Sequence, residues 1–112
     1  MRKAITVSTR NEIDGFNLVR GKTLEQLQKV VGGLIQPIDI TDSITMWVNE
    51  EGKFNGSKYN QIATQIWEGL YGKTDVIYGD VVFTGGSNKR GNLLGLSAKN
   101  ADEVTRLIVY AN

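Results

Sequence analysis

The sequence predicts an α+β domain over residues 1–112, with a mostly antiparallel sheet and about three helices. Short segments alternate apolar and polar residues with a period of two, which is typical of half-buried strands. Three longer segments repeat apolar residues at helical spacing, and short polar turns join neighbouring strands. The 112 residues suit one domain. The predicted order of elements is roughly ββαββαββα.

The first third of the chain predicts a hairpin followed by a helix. Lys3–Ser8 is rich in β-branched residues, and Gly15–Val19 follows after a polar turn. Thr23 is the expected helix cap, with Gln26 at the capping-box spacing, and Gly32 can end the helix in a left-handed conformation. The apolar face of this helix comprises Leu24, Leu27, Val30 and Val31.

The middle third predicts two more strands and a second helix. Leu34–Ile40 and Ile44–Asn49 flank a polar turn, and Pro37 indicates an edge strand because proline cannot donate to a ladder. Ser57 is the expected N-cap of the second helix, and Gly72 can end it. Its predicted buried face comprises Tyr59, Ile62, Ala63, Ile66 and Leu70.

The last third predicts a strand over Asp75–Gly86, bent at Gly79, and another over Asn92–Ser97. A third helix over about Ala101–Tyr110 has Asn100 as its expected cap. The ββα rhythm leaves two architectures open. One is a threefold structural repeat, and the other is a single layered domain with the helices on one face of the sheet. Poor similarity between the three units favours the single domain.

The composition excludes several kinds of chemistry. The chain has 0 Cys and 0 His, which excludes disulfides, thiolate nucleophiles and serine–histidine triads, and argues against a zinc site. We therefore expect no cofactor and no metal requirement for folding. The net charge of +1 does not favour nucleic acid as a partner. No segment has the apolar length of a signal peptide or a membrane span, so we expect a cytoplasmic protein.

The turn Asn49–Lys53, with the sequence NEEGK, has two interpretations. As a structural turn, it uses Asn49 to bind backbone amides and Gly52 to adopt a positive φ. As a binding site, it would bring Asn49, Glu50, Glu51 and Lys53 together with Asn60 near the start of the second helix, where an anion or a hard cation could bind.

Two other features are candidate contact surfaces. The segment TGGSNKRGN lacks the phosphate-binding P-loop pattern, but as a hairpin tip it would present Lys89 and Arg90 to a phosphate or an acidic partner. Trp47 and Trp67 are expected to be core or partly buried. If Trp47 is exposed, it becomes a candidate hot spot for a partner protein.

Four segments resemble a family of small bacteriophage and mobile-element proteins known as domain of unknown function 3846. They are VVGGLIQPIDI, WVNEEGKFNGSKYNQIAT, DVIYGDVVFTGG and NLLGLS, in that order between Val30 and Ser97. The NEEGK turn followed by Asn60 and a helix is the most distinctive part. The resemblance implies a phage-type protein acting in a bacterial cytoplasm, and it brings no reaction and no catalytic residues.

Three functions follow from these observations. The first is a non-enzymatic protein that binds and modulates a host protein of metabolism or defence. The second is a protein that binds or sequesters a small anionic ligand such as a nucleotide signal, for which a homo-oligomer would provide a larger pocket. The third is a hydrolase that uses Glu50 or Glu51. Adjacent residues on an extended strand point to opposite sides, so a carboxylate pair has little support.

Overall fold

The computed structural model describes residues 3–53, 56–73 and 75–111, and it contains an antiparallel sheet with helices. The five strands in this part of the chain have the spatial order β2-β1-β5-β4-β3. The elements are β1 (Lys3–Val7), β2 (Ile13–Asn17), α1 (Thr23–Val31), β3 (Ile35–Thr41), β4 (Ile44–Asn49), α2 (Gln61–Tyr71), β5 (Val81–Gly85) and α3 (Ala98–Ala111). The predicted α+β class is confirmed, and so is the order of elements, except that the last unit has one strand before its helix.

Each face of the sheet has its own apolar core, because successive strand residues point to opposite faces. On one face, Met46 and Phe83 pack with Ile62 of α2 and Val104 of α3. On the other face, a smaller cluster joins the sheet to α1 through Ala4, Leu18, Leu27, Val31 and Val82. The helices therefore cover both faces, which corrects the expectation of one covered face.

The predictions for the first four strands are correct to within two residues at every strand end. Pro37 lies on β3, which is an edge strand as predicted. The predicted strand Asp75–Gly86 is wrong in its first half, because Gly79 adopts a φ of +89° and turns the chain before β5. The predicted strand Asn92–Ser97 forms only isolated bridges, from Leu93 to Ser87 and from Leu96 to Lys3. Two separate partners give no continuous ladder.

The helix caps differ from the prediction at all three helices. Thr23 does not cap α1; the Gln26 side chain instead accepts from the Val19 N–H and donates to the Asn17 carbonyl. Asn60 caps α2 in place of Ser57. At α3 the Ser97 hydroxyl accepts from the Asn100 N–H, so Asn100 lies inside the helix.

The buried helix faces are narrower than predicted. Ile62 and Ile66 of α2 are buried, as expected, whereas Leu70 is 44% exposed. In α1, Leu27 is buried but Leu24 is 57% exposed. The buried apolar residues lie one turn apart in each helix, Leu27 and Val31 in α1 and Ile62 and Ile66 in α2. The exposed leucine lies near one end of its helix.

Candidate functional site

Residues 50–53 form a turn in the structure, and Asn49 holds it. The Asn49 side chain is buried, and its Oδ1 accepts from the Glu51 N–H at 2.7 Å. Its Nδ2 donates to the Val31 carbonyl at 2.9 Å. This second bond, between β4 and the last residue of α1, was not predicted. Both polar atoms of the Asn49 side chain are therefore engaged in holding the fold.

Gly52 is required for a reason that differs from the predicted one. Gly52 does not have a positive φ, so the predicted left-handed conformation is wrong. The glycine is buried against the backbone of Tyr78, and an added Cβ would lie 2.8 Å from the Tyr78 carbonyl oxygen. Such a distance is far below ordinary van der Waals contact, so close backbone approach explains the glycine.

The charged residues of the turn lie at the surface. Glu50 and Glu51 are exposed, and Lys53 forms an ion pair with Asp75. The Lys53 ammonium, together with the Val76 N–H, lowers the pKa of the Asp75 carboxyl. Glu50, Lys53 and Asp75 line an open groove of about 280 Å³. Because Lys53 and Asp75 are paired, Glu50 is the remaining charged residue among the described residues that line this groove, and the groove therefore does not favour an anion.

Asn60 does not join the turn residues, which corrects the predicted convergence. Its side chain is fully buried. Nδ2 donates to the Val7 carbonyl at 3.1 Å and to the Gly79 carbonyl at 2.9 Å, and Oδ1 accepts from the Ala63 N–H at 3.0 Å. Asn60 therefore ties the start of α2 to β1 and to the chain before β5, and it has no free polar atom for a ligand.

The segment 86–95 forms one wall of a second concave surface, which we call the basic cleft. It encloses about 680 Å³ and is lined by Arg90 and by Arg20 of the loop between β2 and α1, with Thr23, Asn88 and Asn92. Lys89 is exposed beside the cleft but does not line it. Sequence reasoning missed Arg20, because 70 positions separate it from Arg90. The sequence feature that could have indicated a basic loop here is the triplet Arg20-Gly21-Lys22. In the structure Gly21 has a φ of +82° within this loop.

A third concave surface, the apolar groove, lies next to the basic cleft. It has a volume of about 270 Å³, and its apolar lining residues are Leu24, Leu27, Ile35, Trp47 and Leu93. Thr23, Gly91 and Leu93 line both surfaces, so the two are continuous.

The two tryptophans have different surroundings. Trp47 is half-buried in the apolar groove, and its indole Nε1 donates to the Thr84 hydroxyl at 2.8 Å. Trp67 is also half-buried, but it packs against the main core and on the ring of Tyr71, with ring centroids 4.8 Å apart. Both tryptophans therefore line concave surfaces, Trp67 in the groove beside Lys53 and Asp75 and Trp47 in the more apolar groove.

Two kinds of feature are absent from the described part of the chain. Within residues 3–53, 56–73 and 75–111, no three residues among His, Cys, Asp and Glu are grouped as metal ligands would be. No helix in this described part of the chain has the length and apolar character needed to cross a membrane.

A protein-family model matches most of the chain. The model of the family described as Domain of unknown function (DUF3846) matches residues 3–108. The chain belongs to this family. The DUF3846 match includes the first hairpin and α1, so it extends further towards the N-terminus than the segment from Val30 to Ser97 that carries the resemblance. Comparison with curated proteins and with solved structures found no significant match.

Proposed function

We propose that this protein is a non-enzymatic binding protein, and that the apolar groove around Trp47 is its contact surface for a partner protein. The observation that supports this most is the half-buried indole of Trp47 beside the exposed Leu24. Interface hot spots are enriched in tryptophan, tyrosine and arginine that lie in well-packed pockets, so Trp47 is the expected anchor and Leu24 its neighbour in the groove. The proposed setting is that of a phage-type protein which modulates a host protein in the bacterial cytoplasm.

The geometry of the groove supports binding because its central side chain is already ordered. The hydrogen bond from Trp47 to Thr84 fixes the plane of the indole ring, and Thr84 is itself buried. A ring held in place loses little rotamer freedom on binding, so more of the contact energy remains as affinity.

The carboxylates of the turn favour binding over hydrolysis. A general acid needs a carboxyl whose pKa is raised by apolar surroundings. Glu50 and Glu51 are exposed and have no apolar surroundings of this kind, and the neighbouring Asp75 is paired with Lys53, which lowers the pKa of the Asp75 carboxyl. These residues remain a second candidate contact surface, which the glutamine variant described in the Discussion tests.

The chain offers a matched pair of leucines for a test. Leu24 and Leu34 are each 57% exposed, but only Leu24 lines the apolar groove. Tagged wild-type protein, Leu24→Asp and Leu34→Asp would be used to recover partners from a bacterial lysate. We expect the wild type and Leu34→Asp to recover the same host protein and Leu24→Asp to lose it. Equal recovery by all three, with folding verified by circular dichroism, would contradict the proposed surface.

A further inference from the structure

We propose that the basic cleft binds a small organic molecule carrying a diphosphate, of which nucleoside diphosphates are the commonest class. This inference does not rest on the partner protein proposed above. It rests on the placement of charge, the size of the cleft and the state of its two arginines.

Charge is segregated at the cleft although the chain as a whole is nearly neutral. The two segments that form the walls, residues 20–23 and 86–95, contain four of the thirteen basic residues and none of the twelve acidic ones. They are Arg20, Lys22, Lys89 and Arg90. The remainder of the chain therefore has an excess of acidic residues. A local positive potential of this kind attracts anions and raises their rate of association.

The two arginines that line the cleft are available to a ligand. Arg20 and Arg90 are exposed, and among the described residues neither forms an ion pair. None of the described residues that line the cleft is acidic. Guanidinium groups bind phosphate oxygens through paired, parallel hydrogen bonds. Two such groups in one cleft match the two phosphates of a diphosphate.

The dimensions favour a small ligand over a long polyanion. The volume of about 680 Å³ lies within the roughly 300–1,000 Å³ that is usual for small-molecule sites. Leu93 and Leu94 add apolar contacts beside the arginines, and the continuous apolar groove offers room for an organic group. Thr23 and Asn92 supply polar side chains at the cleft wall. These features suit a molecule with a charged end and an uncharged end.

The test uses inorganic pyrophosphate as the probe, titrated by calorimetry into the full chain at low ionic strength. The variant Arg20→Gln/Arg90→Gln removes the two proposed contacts. The control Arg10→Gln/Arg106→Gln changes the net charge equally at two exposed arginines outside the cleft. We expect saturable binding by the wild type and the control, and a loss of about tenfold or more in the cleft variant, since hydrogen bonds to charged groups are among the stronger ones.

Three outcomes would overturn the proposal. The first is that the wild type does not bind pyrophosphate. The second is that the two double variants lose affinity equally, which would indicate only a net-charge effect. The third is that a single-stranded oligonucleotide binds more tightly than pyrophosphate and loses its binding in the cleft variant, which would assign the cleft to nucleic acid. Amide chemical shifts of the wild type give an independent readout, because this measurement does not depend on whether the variants fold. Gly21 and Gly91 should shift on addition of pyrophosphate, and Gly52 should not.

Discussion

Asn60 is the residue for which the structure makes the sharpest prediction. It is fully buried, and its side chain forms three hydrogen bonds to the backbone of three separate segments. Replacing it with alanine removes a helix cap, which contributes about 1 kcal/mol. It also removes two donors to buried carbonyls, each contributing about 1 kcal/mol net. We expect Asn60→Ala to lower the free energy of unfolding by about 3 kcal/mol.

The substitution Asn60→Asp separates a simple helix cap from this three-way junction. Aspartate caps helices as well as asparagine does, so a residue that only caps α2 would tolerate the change. In this structure, however, the second carboxylate oxygen would face the carbonyls of Val7 and Gly79, which lie 3.1 and 2.9 Å from the present donor. The buried charge and the oxygen–oxygen repulsion should make this variant at least as unstable as Asn60→Ala at neutral pH.

The pH dependence of the aspartate variant follows from the same contacts. Burial and the two facing carbonyls would raise the folded-state pKa of the introduced carboxyl above the unfolded value of about 3.9. The folded state then binds more protons than the unfolded state, so its stability deficit relative to wild type should shrink as the pH falls through that raised pKa. Urea titrations followed by circular dichroism at neutral and at acidic pH measure this. A loss below about 0.5 kcal/mol at neutral pH would refute the three-way junction.

Two further predictions concern packing, and each has a control in α2. Gly52→Ala would place its Cβ 2.8 Å from a backbone oxygen and should destabilise by about 1 kcal/mol or more. In the control Gly69→Ala the added Cβ meets nothing within 4 Å, so this change should stabilise the protein by up to about 1 kcal/mol. Thermal unfolding measures both variants. If both changes are neutral, close approach to Tyr78 does not explain Gly52. Ile66→Ala should cost about 2–5 kcal/mol, against under about 1 kcal/mol for the exposed Leu70→Ala. Similar losses for this second pair in urea would mean that the buried face of α2 is misassigned.

Local patterns predicted the elements of this fold because their signals are short-range. Alternation along Ile44–Asn49 and helical spacing of Ile62 and Ile66 both reflect burial against one surface. The edge position of β3 follows from Pro37, which has no N–H to donate. The role of Asn49 in the turn was predictable because its partner, Glu51, is two residues away.

What failed depended on contacts between distant parts of the chain. Serine and asparagine both suit an N-cap, so residue type alone does not choose between Ser57 and Asn60. The Asn60 side chain also donates to the carbonyls of Val7 and Gly79, which lie 53 and 19 positions away in the sequence. The reason for Gly52 lies in the backbone of Tyr78, far along the chain. The shared cleft of Arg20 and Arg90 likewise exists only after β1, β2 and the segment 86–95 have come together.

Binding of a partner protein through the apolar groove is tested most directly by a titration. The recovered partner would be purified and titrated with wild type, Leu24→Asp, Leu34→Asp and Glu50→Gln/Glu51→Gln. We expect Leu24→Asp to weaken binding by about tenfold or more, as substitutions at hot spots do, and the other two variants to bind as wild type does. If Leu24→Asp binds as tightly as wild type while the glutamine variant loses affinity, the contact surface is the NEEGK turn and not the apolar groove.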